Sequence, residues 1–253
     1  MQGMATEPVS EALWQALLAG EPAALRAAPL YGALLNAATK ARPGVFVLGR
    51  IAQSLDGRIA TDSGRSRWIS GEADRLHTHR LRALFDAVVV GAGTVRADDP
   101  KLTTRHCRGP SPVRVVIDTE RRLGPHYRVF QGGPATLLLC AEDAGSHACG
   151  DAELLRLPRH GIGLAIDGII AALQARGLRR IFVEGGGITV SRFLGAGGLD
   201  RLHVTVAPLL LGSGIPAFSL PGIACPQDGL RLDWKLHRLG EDLLLDIALE
   251  RRT

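Results

Sequence analysis

The chain has 253 residues, 46% of them hydrophobic and 22% charged, with a formal net charge of +5, enough apolar material to fill one large domain or two small ones. Its 30 Lys and Arg are dispersed rather than gathered in a stripe, and aromatic residues are only 4%, which argues against a nucleic-acid partner and a base-stacking platform. No run approaches the roughly 20 apolar residues of a membrane span, no basic leader precedes an apolar core, and Cys107, Cys140, Cys149 and Cys225 show no C-x-x-C pair or zinc-ligand spacing. The expectation is a cytoplasmic protein with no metal and no membrane contact.

Residues 1–42 are rich in Ala and Leu, with Leu13, Trp14, Leu17 and Leu18 at helical spacing behind Ser10, a residue type that caps helix N-termini. They read as one or two short helices in an accessory N-terminal arm. Pro43-Gly44 breaks the pattern, and residues 43–253 read as one domain. Within it the pattern predicts a strand over residues 45–52, a turn at Asp56-Gly57, a helix over 71–84 and a buried strand over 87–90. Further strands are expected over residues 113–117, 135–140, 179–184, 201–207 and 243–250, with helices over 166–176 and 189–194. Continuous apolar runs such as VVIDT, TLLLC and RIFVEGGG are those of strands covered on both faces, hence an α/β protein with a mostly parallel central sheet.

Short polar and glycine motifs punctuate these elements at fixed intervals. AQSLDGRIA occupies residues 52–60, SRWIS residues 66–70, and GAGTVRADDPKLTTR residues 91–105. The Asp-Gly of the first is a common turn dipeptide, and Asp99 before Pro100 also favours a turn. Trp68 offers a flat face and one N–H donor, and Arg82 and Arg105 carry the paired donors that suit a phosphate. The segment after residue 90 does not fit G-x-G-x-x-G, because Arg96 stands at the third glycine's place, which weakens a standard dinucleotide fold. Glu184-Gly185-Gly186-Gly187 closes a strand and opens a helix, an arrangement that sets a pyrophosphate on a helix N-terminus.

In this order and spacing, and together with IFVEGGGITVSRFL (residues 181–194) and VTVAPLLLGSGIPAF (residues 204–218), the motifs resemble the reductase domain of the bifunctional riboflavin-biosynthesis deaminase/reductase. The resemblance runs from about residue 43 to the C-terminus. It implies a dihydrofolate-reductase-like three-layer α/β/α fold with a mostly parallel central sheet. It also implies hydride transfer from NADPH to 5-amino-6-(5-phosphoribosylamino)uracil, or its diamino-pyrimidinone analogue, giving the ribitylamino product. By the same resemblance Ser66, Arg82 and Arg105 hold the substrate's phosphorylated ribose, Leu102 adds a backbone contact, and Glu184 meets the pyrimidine. Ala52 (through its backbone), Trp68, Thr94, Asp98, Gly185, Gly186, Gly187, Ile188 and Thr189 would face the cofactor. Thr119 and Arg122 would supply the hydroxyl and guanidinium that a 2′-phosphate needs, although Glu120 stands where several members carry a positive or neutral side chain.

Two departures bear on mechanism. Arg50 stands where many members carry a lysine, so an electrostatic role survives while an acid role does not. Asp56 is a candidate proton donor only if its pKa is raised, with solvent as the simpler source. The H-x-E and P-C-x-x-C of the zinc deaminase are missing from the sequence, so deamination is not expected of it. A homodimer is expected, with the apolar leader covering a sheet edge or the partner's site. The alternatives are a homologue that reduces a pterin or another heterocycle, and a non-catalytic NADPH-binding paralogue.

Overall fold

In the central strands successive side chains point to opposite faces and both sets are apolar, so the sheet must be covered twice. In β1 (Phe46–Ser54), Phe46 and Leu48 enter one core cluster, whereas Val47 and Ile51 enter the other. The same alternation splits Val88 and Val90 from Ala87 and Val89 in β3 (Ala87–Gly91). The computed structural model describes residues 9–38 and 44–249.

The chain starts with α1 (Glu11–Leu18), α2 (Pro22–Ala27) and α3 (Pro29–Ala38). After β1 come a short β2 (Arg58–Ala60), α4 (Glu72–Leu84), β3, α5 (Ala92–Asp98), β4 (Val113–Ile117) and β5 (Thr136–Ala141). Next are β6 (Glu153–Leu157), the small hairpin β7 (Arg159–His160) and β8 (Gly163–Leu164), α6 (Ile166–Ala175), β9 (Arg180–Glu184) and α7 (Gly187–Gly195). The remainder is β10 (Arg201–Ala207), β11 (Ile215–Pro216), β12 (Trp234–Leu239) and β13 (Asp242–Ala248).

Nine strands form one sheet in the order β12-β13-β10-β1-β9-β3-β4-β5-β6. Pairing is parallel from β10 to β6 and antiparallel where β13 joins β10 and β12. Helices α6 and α7 cover one face through Ile169, Ile170, Leu173, Val190 and Phe193. The other face is covered by α4 and by α1–α3, whose Trp14, Leu17, Tyr31 and Leu34 share a core cluster with Leu81 and Leu84.

The helices of the N-terminal arm are therefore packed into the layer that covers this face. Three form because Pro22 and Pro29 each open a new helix, Pro being tolerated in a first turn and disruptive in a helix interior. They are bolted to α4. The Trp14 indole N–H donates to the Arg108 carbonyl at 2.8 Å, and the Arg80 guanidinium lies 5.1 Å over the Trp14 ring and 5.7 Å over the Tyr31 ring. Arg80 also donates to the Val9 carbonyl at 2.7 Å.

Most expected elements are found within a residue or two of the predicted ends. The strand expected over 243–250 spans Asp242–Ala248, and residue 250 lies outside the described residues, as does Pro43 of the expected break. Helix α5 is an addition: Gly91-Ala92-Gly93 reads as a loop, yet the helix starts at Ala92 and buries Val95. Strands β6 and β12 form the two edges of the sheet. They carry Glu153 and Arg156, and Lys235, His237 and Arg238, and an edge strand covered on one side lacks the continuous apolar run that marks a central strand.

Trp14 is wholly buried, so Trp14→Ala should lower the unfolding free energy by about 3–5 kcal/mol. The check is the urea midpoint, with Trp14→Phe expected to fall between the variant and the parent.

Candidate active site

Strand β9 lies between β1 and β3 although it follows both in the chain. From β3 the chain steps outward to β4, whereas from β9 it returns past β1 to β10, so the loops after β3 and β9 diverge. In open α/β sheets that divergence, at the carboxyl ends of the strands, is where ligands bind. A cavity of about 1160 Å³ opens there, beyond the roughly 300–1,000 Å³ of an ordinary single-ligand pocket.

Its floor is built by close approach of the two loops. Gly186 has φ +73°, and a Cβ on it would stand 2.6 Å from Thr94 Oγ1 on α5; a Cβ on Gly187 would stand 2.7 Å from the Ala217 carbonyl oxygen. Only glycine fits either position. The N-terminus of α7 thereby faces the cavity with Gly185, Gly186, Gly187, Ile188 and Thr189 in its lining, and a first helical turn leaves amide N–H groups without intrahelical partners beside a partial positive charge. The arrangement fits a pyrophosphate.

Two ion pairs stand at the strand ends, where Arg50 of β1 is the register partner of Glu184 of β9. Arg50 is buried, lines the cavity and donates to Asp74 of α4, which also accepts from Thr205 Oγ1 at 2.7 Å. Burial acts to raise the Asp74 pKa, but Arg50 overrides it and holds the carboxyl below its usual value. Glu184 accepts from the Nε–Nη2 edge of the Arg82 guanidinium through both oxygens, with Nε to Oε2 at 2.7 Å, while Arg82 Nη1 donates to the Thr103 carbonyl at 2.9 Å. Arg82 is buried. Its donors are committed to Glu184 and the Thr103 loop, in contrast to the open phosphate grip expected for it.

Arg105 is exposed and donates to Thr103 Oγ1 at 2.8 Å. Its backbone N–H donates to His79 Nδ1 at 2.9 Å, and burial together with Arg82, His106 and Arg105 pushes the His79 pKa down to about 3. His106 packs edge-on against His79 and lines the cavity. Leu102 is buried in the core with φ +54°, so its left-handed backbone turns the loop towards Thr103 while its side chain faces away from solvent. Ser66 Oγ donates to Asp98 Oδ1 at 2.9 Å, and both line the cavity. Trp68 lines it too, but the indole is 78% exposed, with φ +71° and the Arg75 guanidinium 4.7 Å over its ring.

Ala52, Thr94, Thr119 and Arg122 all border the cavity. Arg121 does not compete with Arg122 for that role, because it is buried and donates to the carbonyls of Gly145 and His147. Asp56 is corrected by the structure. Its carboxylate accepts from the Ser54 hydroxyl at 2.5 Å and from the Leu211 and Gly212 amides at 3.2 and 2.7 Å, and these bonds pull its pKa down to about 2. The condition for proton donation, a raised pKa, is not met; the residue ties the turn after β1 to the loop after β10.

The lining also includes Arg67, Arg75, His106, Ile215, Pro216 and Ser219, to which the sequence assigned no role. Arg75 lies seven residues before Arg82 on α4, a spacing that puts both on one helix face. Residues 215–218, the end of the VTVAPLLLGSGIPAF motif, and Ser219 reach the site on the segment that follows β10. Among the described residues no cluster of His, Cys, Asp and Glu is placed to hold a metal, and no helix is long and apolar enough to cross a membrane.

Residues 45–245 match the RibD C-terminal domain family. The chain belongs to that family. It is 35% identical over 216 residues to the 2,5-diamino-6-ribosylamino-4(3H)-pyrimidinone 5′-phosphate reductase of Methanothermobacter thermautotrophicus, a match covering 81% of this chain and 98% of that protein. It is also 35% identical over 215 residues to the riboflavin biosynthesis protein RibD of Mycobacterium tuberculosis H37Rv, covering 83% of this chain but only 56% of the relative. Among solved structures, the Thermotoga maritima diaminohydroxyphosphoribosylaminopyrimidine deaminase/5-amino-6-(5-phosphoribosylamino)uracil reductase superposes with a TM-score of 0.71 at 26% identity, over 90% of this chain and 62% of that one. The Saccharomyces cerevisiae riboflavin biosynthesis reductase Rib7 gives 0.70 at 23% identity, over 87% and 97%. The fold is thus the dihydrofolate-reductase-like α/β type of the RibD reductases, and α1–α3 precede the part that matches the family.

The neutral, buried imidazoles beside the site predict acid sensitivity. Folded His79 stays uncharged down to about pH 3, whereas the unfolded chain protonates it near 6.5, so stability should fall by up to about 1.4 kcal/mol per pH unit below that value. His77, held well below its ordinary pKa mainly by burial and His203, acts in the same direction. Urea unfolding at about pH 7.5 and about pH 5.5 measures the slope, and His79→Asn, which keeps an acceptor for the Arg105 amide, should make it shallower.

Proposed function

We propose that the protein is an NADPH-dependent reductase of 5-amino-6-(5-phosphoribosylamino)uracil or its diamino-pyrimidinone analogue, acting in riboflavin biosynthesis. The observation that carries this reading is that a glycine-bounded helix N-terminus and a carboxylate fixed by a buried guanidinium meet in one large cavity at the strand ends. Support also comes from the archaeal reductase that the chain matches over nearly its whole length.

Residues 43–253 form the reductase domain in this reading, with the preceding segment as its extension. The α7 N-terminus binds the cofactor pyrophosphate, with the Thr94 and Thr189 hydroxyls beside it. Thr119 and Arg122 take the 2′-phosphate, and the Ala52 backbone and Trp68 border the nicotinamide end. NADPH, when bound, supplies a hydride.

Glu184 accepts hydrogen bonds from pyrimidine N–H groups, and Arg82 keeps that carboxylate aimed. Arg105 and Ser66 meet the ribose phosphate, Asp98 orients the Ser66 hydroxyl, and Arg50, midway along β1 and beside the end of β9, contributes positive charge. With Asp56 ionised, the proton that accompanies reduction comes from solvent. The protein's contribution is alignment and charge placement. It is taken to be cytoplasmic and homodimeric, with no nucleic-acid partner.

The test is NADPH oxidation by the purified protein with both phosphorylated pyrimidines and their dephosphorylated forms. Reduction confined to phosphorylated substrates is expected; turnover of a pterin and not of these pyrimidines, or NADPH binding without any turnover, overturns the assignment. Arg105→Ala should raise KM for the phosphorylated substrate about 10–100-fold, the loss expected for charge-assisted hydrogen bonds, and leave NADPH affinity within twofold in a fluorescence titration.

A further inference from the structure

Glu120 sets a charge problem at the β4 end of the cavity. It lines the wall together with Thr119 and Arg122, and a free carboxylate there would both repel a phosphate and capture the neighbouring Arg122 guanidinium. Arg122 is close enough to Glu120 to help hold its carboxyl below the usual range, although the hydrogen bonds from Arg159 act more strongly.

Arg159 lies 39 residues further along the chain, on β7. From there its guanidinium spans two loops. Nη1 donates to Glu120 Oε1 at 2.5 Å and Nη2 approaches Oε2 at 3.3 Å. Nη2 also donates to Asp143 Oδ1 at 2.8 Å, and Nε lies 3.2 Å from both Asp143 oxygens. Asp143, in the loop after β5, thus steadies the guanidinium while the rest of its fork takes up Glu120. The planar, multiply donating geometry is specific to arginine. Counted together, Arg122 and Arg159 balance Glu120 and Asp143, and removing Arg159 would leave Arg122 as the nearest partner for Glu120.

We infer that Arg159 is a specificity-determining residue: by occupying Glu120 it leaves Arg122 free for the 2′-phosphate of NADPH, and so sets the preference for NADPH over NADH. Arg159 does this without touching the cofactor. It is a positioning residue acting through Glu120. The inference rests on the cofactor reading given above.

The experiment measures the dissociation constants of NADPH and NADH for the parent, Arg159→Gln, Glu120→Gln and the double variant by fluorescence titration, with a thermal melt of each. The residues are at least partly exposed, so all four proteins should fold alike. Arg159→Gln should weaken NADPH about tenfold, as expected for loss of one charge-assisted contact, and leave NADH within twofold. The double variant should recover most of the NADPH affinity, because residue 120, the carboxylate beside Arg122 on the cavity wall, can no longer capture it. An unchanged NADPH to NADH ratio in Arg159→Gln, an equal loss for both cofactors, or no recovery in the double variant overturns the inference while leaving the cofactor reading intact. A parent protein that binds NADH as tightly as NADPH overturns the cofactor reading itself, and the inference with it.

Discussion

A sheet apolar on both faces needs two covering layers, and in this chain the second layer has to be assembled from helices on either side of β1 in the sequence. Helices α6 and α7 cover one face from within the family-matched region. The opposite face depends on α4, and α4 is an unusual cover: Asp74, His77, Thr78, His79, Arg80 and Arg82 are all buried on it. A helix so polar cannot close a core alone, because buried polar groups are costly unless each finds a partner. Its partners come from β1, β9, β10 and α3, and its remaining exposure is removed by α1–α3.

This polar interior explains why the site is rigid where chemistry needs it to be. Arg50 is anchored by Asp74, and Glu184 by Arg82. Further along the same layer Tyr31 bonds His77 at 3.0 Å, His77 meets His203 at 3.1 Å, and Arg201 pairs with Asp246. Buried ion pairs contribute little net stability once desolvation is counted, but breaking one leaves a stranded charge. Their value here is positional: each fixes a strand-end side chain by a partner on a different element, so that the rim of the cavity is set by the tertiary structure and not by loop conformation.

Much of the cavity wall was legible in the sequence because its chemistry is local. The EGGG run, GAGTVRADDP and Thr119 to Arg122 each combine a strand end with the residue types that an anion needs. What was not legible is relational. Nothing near Arg82 indicates that Glu184, 102 residues away, would occupy its guanidinium. Asp56 reads as a turn residue with an acid role conditional on a raised pKa, and the Leu211 and Gly212 amides that help to hold it ionised lie 155 and 156 residues away. The edge strands β6 and β12 lack the two-faced pattern, α5 hides behind two glycines, and nothing within α4 shows that its cover comes from α1–α3, a separate stretch of sequence.

The loop that follows Arg105 joins these themes. It runs between α1 and α4, where Trp14 holds the Arg108 carbonyl and a Cβ on Gly109 would lie 2.6 Å from that of Ala83. The leader thus clamps the same loop that presents His106 to the cavity and carries Arg105 beside it. The family match and the core layer have different borders in this molecule: the match begins at residue 45, while the cluster that covers α4 draws on Trp14, Leu17, Tyr31 and Leu34 of α1 and α3. A chain trimmed to residues 45–245 would keep every motif and lose the helices that cover one face of the layer against which the motifs are held.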